Sequence, residues 1–470
     1  MIGRFFFVAL LACAGAAAVQ AQSHEVYPAN EIPPLTSSDD QDRPAFLESV
    51  ESAPLSLGHG PAYFDGKAML EGKSMIDPKD GDKASVEINA GDEVSAVTRR
   101  FQYGFRLSAR GVYDDNIFIT GSGDRVDDFY FAIEPGATVG FGDITGRDQN
   151  YIRLDYAPSI FLFADHSDSN AFQHLIRLEG RYRFGHLILR LSQDVHLLDG
   201  TNLASIGNNT SNTLPGLNLD AGGNTAVDIY NTSATLSYDL TGKTFLSGEF
   251  RFTASDYDGL IDSSSISGNA FLNYTYSPKL VVGLGGTVGY NWVESFNPNQ
   301  TFEQANIRAT YQISGKMTLN GSAGVEFRQF EEDYGAGDHV SPVYELGAAY
   351  QPFDGTTITA QGSLRTLNSA SLTGNDYSST NITIGARQRL LRRIYIGLAA
   401  GYENSDYFST IQLVDGSRQD DYYFIQPAVD VTLTQFWTVG AYYLHRQNES
   451  SSDFFSFYDN QFGLRTSLVY

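Results

Sequence analysis

From Phe101 to Tyr470 the sequence repeats one pattern. Apolar residues fall at every second position over runs of about ten to fourteen residues, separated in turn by tight turns and longer polar stretches. A period of two belongs to a strand with unlike faces and cannot be met by a helix. In FQYGFRLSARGVY, Phe101, Tyr103, Phe105, Leu107 and Ala109 share one face, while Gln102, Arg106, Ser108 and Arg110 share the other. DFYFAIEPGATVGF likewise gathers Phe129, Phe131, Ile133, Ala137, Val139 and Phe141.

The connections carry the second half of the pattern. Short turns at LTGKT, YSPKL, ISGKM, PFDGT, LLRR and LTQF alternate with long stretches such as DDNIFITGSGDRVDD, EEDYGAGDHVS and NSASLTGNDYSS. Short turns on one side and long loops on the other predict a transmembrane antiparallel up-and-down β-barrel. Counting runs gives about 18 strands, with 16 the next count, since antiparallel closure favours even numbers. A soluble propeller or sandwich would bury the aromatic face and would not alternate loop length. Aromatic residues at strand ends, among them Tyr290, Trp292, Tyr344, Tyr350, Tyr402, Tyr423, Trp437 and Tyr443, fit two interfacial girdles.

The final run, NQFGLRTSLVY, puts Phe462, Leu464, Thr466, Leu468 and Tyr470 on one face. A strand in that place needs a neighbour, and barrel closure predicts pairing with the run near Phe101–Tyr113. A terminal aromatic preceded by apolar residues at alternate positions resembles the signal read by the outer-membrane barrel assembly machinery. That resemblance implies an assembly role for Phe462, Leu464, Leu468 and Tyr470.

Composition agrees with this reading. The formal charge of −24 argues against nucleic-acid binding, and 13% aromatic with 42% hydrophobic residues argues against disorder. Mean hydropathy is −0.23, and no run of 18 apolar residues offers a membrane helix, a test that β-barrels escape. Residues 1–21 read as a secretory signal peptide: Arg4, an apolar stretch from Phe5 to about Ala12, and Val19-Gln20-Ala21 before the cleavage point. Cys13, the only cysteine, lies within it, so no disulfide or Cys-based metal site is expected. Residues 22–98, acidic and bearing Pro33-Pro34, Pro54, Pro61 and Pro78, read as an irregular periplasmic segment. Residues 99–470 are the barrel, expected in the outer membrane of a Gram-negative cell in contact with outer-membrane lipid.

GVYDDNIFIT, closing the first strand, resembles the opening of the β-barrel porin 2 family, over about residues 100–470 of this chain. Members often accompany exopolysaccharide synthesis and export, so the resemblance implies an outer-membrane conduit with polysaccharide-export components as partners.

If the apolar face meets lipid, the other lines the lumen. Alternation places Arg106, Arg110, Arg153, Arg177, Arg181, Arg183, Arg190, Arg251, Arg308, Arg328, Arg365, Arg387, Arg389 and Arg465 there. The acids of the same parity are fewer: Glu134, Asp155, Glu179, Asp194, Glu249, Glu326, Glu345 and Asp430. Two readings follow. Arginines either pair with neighbouring acids and knit the wall, or form a cationic ladder for anionic solute or polysaccharide, with Arg106, Arg181, Arg183, Arg387, Arg389 and Arg465 as selectivity residues. A plugged barrel serving as an interaction or assembly component is the alternative function.

Other chemistry is not indicated. His174, His186, His196, His339 and His445 have no zinc-ligand spacing, and no nucleophile elbow with triad partners occurs, so no enzymatic activity is expected. Asp114-Asp115-Asn116 and Asp415-Gly416 with Asp420-Asp421 could offer oxygen ligands to Ca²⁺ at the outer surface, but they lack EF-hand spacing and read as solvated acidic loops. No cofactor and no metal is expected.

Overall fold

The structure, a computed structural model, describes residues 101–469 apart from 122, 143–149, 201–218, 223–224, 295–296, 332–336 and 412–416. The expected signal peptide, the segment 22–98 and Tyr470 lie outside the described residues. The rest is almost entirely strand. In chain order these are β1 (Phe101–Asp114), β2 (Asp128–Gly142), β3 (Tyr151–Phe163), β4 (Ala171–Phe184), β5 (Leu187–Leu198) and β6 (Val227–Asp239). Then come β7 (Thr244–Tyr257), β8 (Ser263–Ser277), β9 (Leu280–Val293), β10 (Gln300–Ser314), β11 (Met317–Phe330) and β12 (His339–Tyr350). The last six are β13 (Thr356–Asn368), β14 (Asn375–Leu390), β15 (Ile394–Ser409), β16 (Gln419–Thr434), β17 (Trp437–Ser450) and β18 (Phe457–Val469).

Each strand pairs antiparallel with its sequence neighbours, giving one 18-stranded sheet. The sheet closes where β1 meets β18, in register from Arg106 opposite Val469 to Asp114 opposite Gln461. The larger of the two expected strand counts is therefore the observed one, and the last run finds its partner in the first.

The alternation becomes a two-sided wall. Phe101, Tyr103, Phe105 and Leu107 on β1 point outward, as do Leu284 at 67% exposure, Ile307 and Leu464. A continuous apolar outer surface of this kind is the lipid-facing band of a barrel that spans a membrane. Among the described residues no helix is long and apolar enough to cross one.

Inside, the structure corrects the simple rule that the lumen face is polar. Toward the loop end, Tyr130, Phe161, Phe163, Tyr422, Phe424, Tyr442, Leu444 and Phe457 face inward and pack into one buried cluster. Ile117 and Ile119 of the β1–β2 loop and Leu219 of the β5–β6 loop join it. Apolar side chains can face the inside where they bury one another, and here the loops fold inward to complete the packing.

The β14–β15 hairpin turns on Leu391 (φ 48°) and Arg392 (φ 62°), a left-handed pair that Asn-Gly would adopt with less strain.

Candidate functional site in the barrel lumen

The inner face is charged unevenly along the barrel. Arg153, Arg181, Arg183, Arg190, Arg387, Arg389 and Arg465 lie within four residues of the turn ends of their strands, facing, among the described residues, only Asp155, Asp239 and Asp430 at that height. At the loop ends the balance inverts. Asp114, Asp128, Asp194, Glu326, Asp376, Asp420 and Asp459 lie within four residues of the strand ends, with Arg110, Arg328, Arg365 and Arg446 among them. The lumen thus holds more carboxylates than the alternation-based inventory contained: Asp114, Asp128, Asp239, Asp376, Glu403, Asp420 and Asp459 are additions. The connections repeat the gradient. Lys243, Lys279, Lys316, Arg392 and Arg393 sit in turns, whereas Asp115, Asp124, Asp165, Asp258, Glu294 and Glu331 sit in loops.

Many of the arginines knit the wall, as the first of the two readings required. Arg110 meets Glu134 at 3.3 Å, Arg153 meets Asp155 at 2.8 Å and Glu179 at 3.2 Å, and Arg177 meets Glu179 at 3.4 Å. Arg251 binds Glu249 at 2.6 Å, and Arg328 binds Glu326 at 2.8 Å and Asp376 at 3.3 Å.

The six proposed selectivity arginines share the turn half, on the arc that runs from β14 through β18 and β1 to β4. Each is placed differently. Arg465 grips Asp430 with both arms of its fork, Nε to Oδ1 at 2.9 Å and Nη2 to Oδ2 at 2.7 Å. The pair reaches over β17 because the residue in register between them is Gly440, where a Cβ would run into the Asp430 carboxylate. Arg106 lies across Gly136 of β2, whose missing side chain leaves it room. Arg387 stacks over the Tyr395 ring at 4.3 Å from its centroid. Arg389 lies over Gly355, a turn residue at φ 80°. Arg181 is 6% exposed and stands in register with Tyr151 on one side and Arg190 on the other. Arg183 is opposite Ile188.

At the other end the loops meet over the mouth, an arrangement the sequence reading did not foresee. Asp220, in the β5–β6 connection, is 2% exposed. It accepts hydrogen bonds from Ser369 Oγ at 2.8 Å, Ser371 Oγ at 2.9 Å and Tyr407 Oη at 3.0 Å, and from the Ala370 amide. Arg418 stands 3.9 Å from it and donates to the Leu219 carbonyl at 3.3 Å. β5 and β14 lie on opposite sides of the ring, so this carboxylate ties one wall to the other. The Ile261 amide also reaches the Ala370 carbonyl at 2.9 Å, and the Gly374 amide reaches Asn297 Oδ1 at 2.5 Å. The loops after β5, β7, β9 and β13 are thereby interlocked.

GVYDDNIFIT turns inward for a legible reason. Asn116, fully buried, donates to the carbonyls of Thr120 at 2.8 Å and Tyr458 at 3.0 Å, and its Oδ1 accepts from the Thr120 amide at 3.0 Å. That ring of bonds carries Ile117 and Ile119 into the inner cluster, Ile119 at φ 55°, a costly conformation for a β-branched residue.

No family model matches this chain, and no curated protein matches it. The likeness to the β-barrel porin 2 family therefore rests on that short stretch. Among solved structures, Pseudomonas aeruginosa OpdK with vanillate aligns at 10% identity and a TM-score of 0.40, over 78% of this chain and 99% of that one. P. aeruginosa OccK2 (OpdF) in complex with glucuronate aligns at 10% identity and 0.41, over 78% and 98%. Acinetobacter baumannii OccAB4 aligns at 8% identity and 0.41, over 80% and 99%.

Proposed function

We propose that the protein is an outer-membrane channel for small anionic solutes, with its turns in the periplasm and its acidic loops outside. The observation that carries this reading is the belt of arginines on the inner face of the turn half, at Arg106, Arg181, Arg183, Arg387, Arg389 and Arg465. Fixed guanidinium groups on a low-dielectric wall raise the local concentration of anions and lower that of cations, and diffusion does the rest without a catalytic group. The bridged loop end favours small solutes over a polymer, since a polysaccharide chain would need the Asp220 tie to open.

The test is permeation through liposomes holding the refolded full-length protein, comparing a sugar acid with a neutral sugar of similar size. The acid is expected to enter severalfold faster, and the preference is expected to vanish when Arg387 and Arg389 are both changed to Glu. Permeation without preference would remove the anionic claim. A folded barrel that passes neither solute would favour a second reading, a closed barrel acting as an interaction or assembly component of an envelope export system. The interlocked loops and the inner aromatic cluster are the observations on that side.

A further inference from the structure

At the seam where β1 meets β18, three carboxylates converge from opposite ends of the barrel sequence. One oxygen each from Asp114, Asp115 and Asp459 lie within 4.8 Å of one another. Asp114 is 3% exposed and Asp459 is 0% exposed. Asp459 is held through Oδ2, by Arg446 Nε at 2.5 Å and Gln461 Nε2 at 3.2 Å, while its Oδ1 has no hydrogen-bond partner among the described residues. Asp114 receives the Asn116 amide and Gln461 Nε2, both at 2.8 Å, and stands in no ion pair with a described residue. Asp115 has Arg125 at 3.2 Å and accepts from the Asn460 amide and from Asn460 Nδ2, both at 2.8 Å. Two buried carboxylates therefore stand beside one guanidinium, which pairs with Asp459 alone, a balance that a dry site does not tolerate without a further positive charge.

A second observation lies outside the acidic group. The Tyr422 hydroxyl, on the neighbouring inner face, is 2% exposed and has no hydrogen-bond partner among the described residues, and its ring lies 6.4 Å from that of Phe457, two residues before Asp459. Asn448, 2% exposed and in register between Tyr422 and Phe457, has an Oδ1 with no partner among the described residues as well. Buried oxygens left unsatisfied next to an excess of negative charge are what a hard cation requires.

We propose that the β1–β18 seam binds a divalent cation of the calcium class, with Asp114, Asp115 and Asp459 as its carboxylate ligands and Tyr422 beside them. Such an ion takes six to eight oxygens at flexible geometry, so water completes the shell. Bound there, it ties the first strand to the last and anchors the inward fold of the β1–β2 loop. The competing occupant is a proton held between Asp114 and Asp459.

Refolded full-length protein in detergent, stripped with chelator, is titrated with Tb³⁺ and read by tyrosine-sensitised emission. Its unfolding midpoint is measured with Ca²⁺ and with chelator. Saturable emission, displaced by Ca²⁺, and a Ca²⁺-dependent rise of several degrees are expected. Asp459→Asn and Asp115→Asn are expected to lose both, and Asp262→Asn, in the β7–β8 loop, to keep them. Should Asp459→Asn fail to fold, Asp115→Asn decides alone, because that side chain is partly exposed at 24%. No emission and no shift in the parent protein would overturn the proposal in favour of the proton. A shift that survives in Asp115→Asn would overturn it in favour of another loop.

Discussion

At the scale of single residues, a glycine in register between two long polar side chains decides which of them meet. Gly440 lets Arg465 reach Asp430 across β17, and Gly283 lets Arg308 reach Asn273 Oδ1 at 2.8 Å across β9. Changing Gly440 to Ala pushes Asp430 aside and opens the fork. The expected loss is about 1–3 kcal/mol, the worth of a charge-assisted pair with one partner displaced, read as a lower urea midpoint. An unchanged midpoint would mean the pair adds nothing. The β14–β15 turn predicts a change of the opposite sign: replacing Leu391-Arg392 by Asn-Gly relieves two left-handed residues and is expected to gain about 1–2 kcal/mol. What was legible here was the face of each residue, because a strand alternates regardless of its neighbours. The glycine-bridged pairs were not, because they depend on the register of three strands at once.

At the scale of elements, strands and turns followed from local pattern, and loops did not. The short turns expected at LTGKT, YSPKL, ISGKM, PFDGT, LLRR and LTQF are where the chain reverses between β6 and β7, β8 and β9, β10 and β11, β12 and β13, β14 and β15, and β16 and β17. By contrast, polar composition made the long connections look like free loops, whereas Asn116 and Asp220 fold two of them inward. The partners of Asp220 lie about 150 residues or more away, at Ser369, Ser371 and Tyr407, a distance no window of sequence spans. Asn116→Ala is expected to cost about 1–3 kcal/mol by leaving buried carbonyls unsatisfied, measured again by urea unfolding. Asp220→Ala is expected to release the tie across the mouth and raise single-channel conductance severalfold while the barrel still folds. Equal conductance in that variant would show that the tie does not limit passage.

At the scale of the whole barrel, charge is sorted along the axis. The sequence reading placed the arginines on the inner face and read acidic stretches in the loops and in residues 22–98. The structure adds that the inner face itself is graded, with Arg181, Arg183, Arg387, Arg389 and Arg465 near the turns and Asp114, Asp128, Asp420 and Asp459 near the loops. Height along the axis could have been read from each residue's distance to the nearest turn. Parity alone, however, records only inside or outside. The gradient predicts that ionic strength matters: raising KCl toward 1 M shortens the screening length to about 3 Å and is expected to blunt any anion preference. The most direct measurement is the zero-current potential of the unmodified protein in a planar bilayer under a KCl gradient at low salt. The account predicts a potential of the sign set by chloride, moving toward zero as salt rises. A potential of the sign set by potassium would contradict it, because the acidic loop end, and not the arginine belt, would then control the pore.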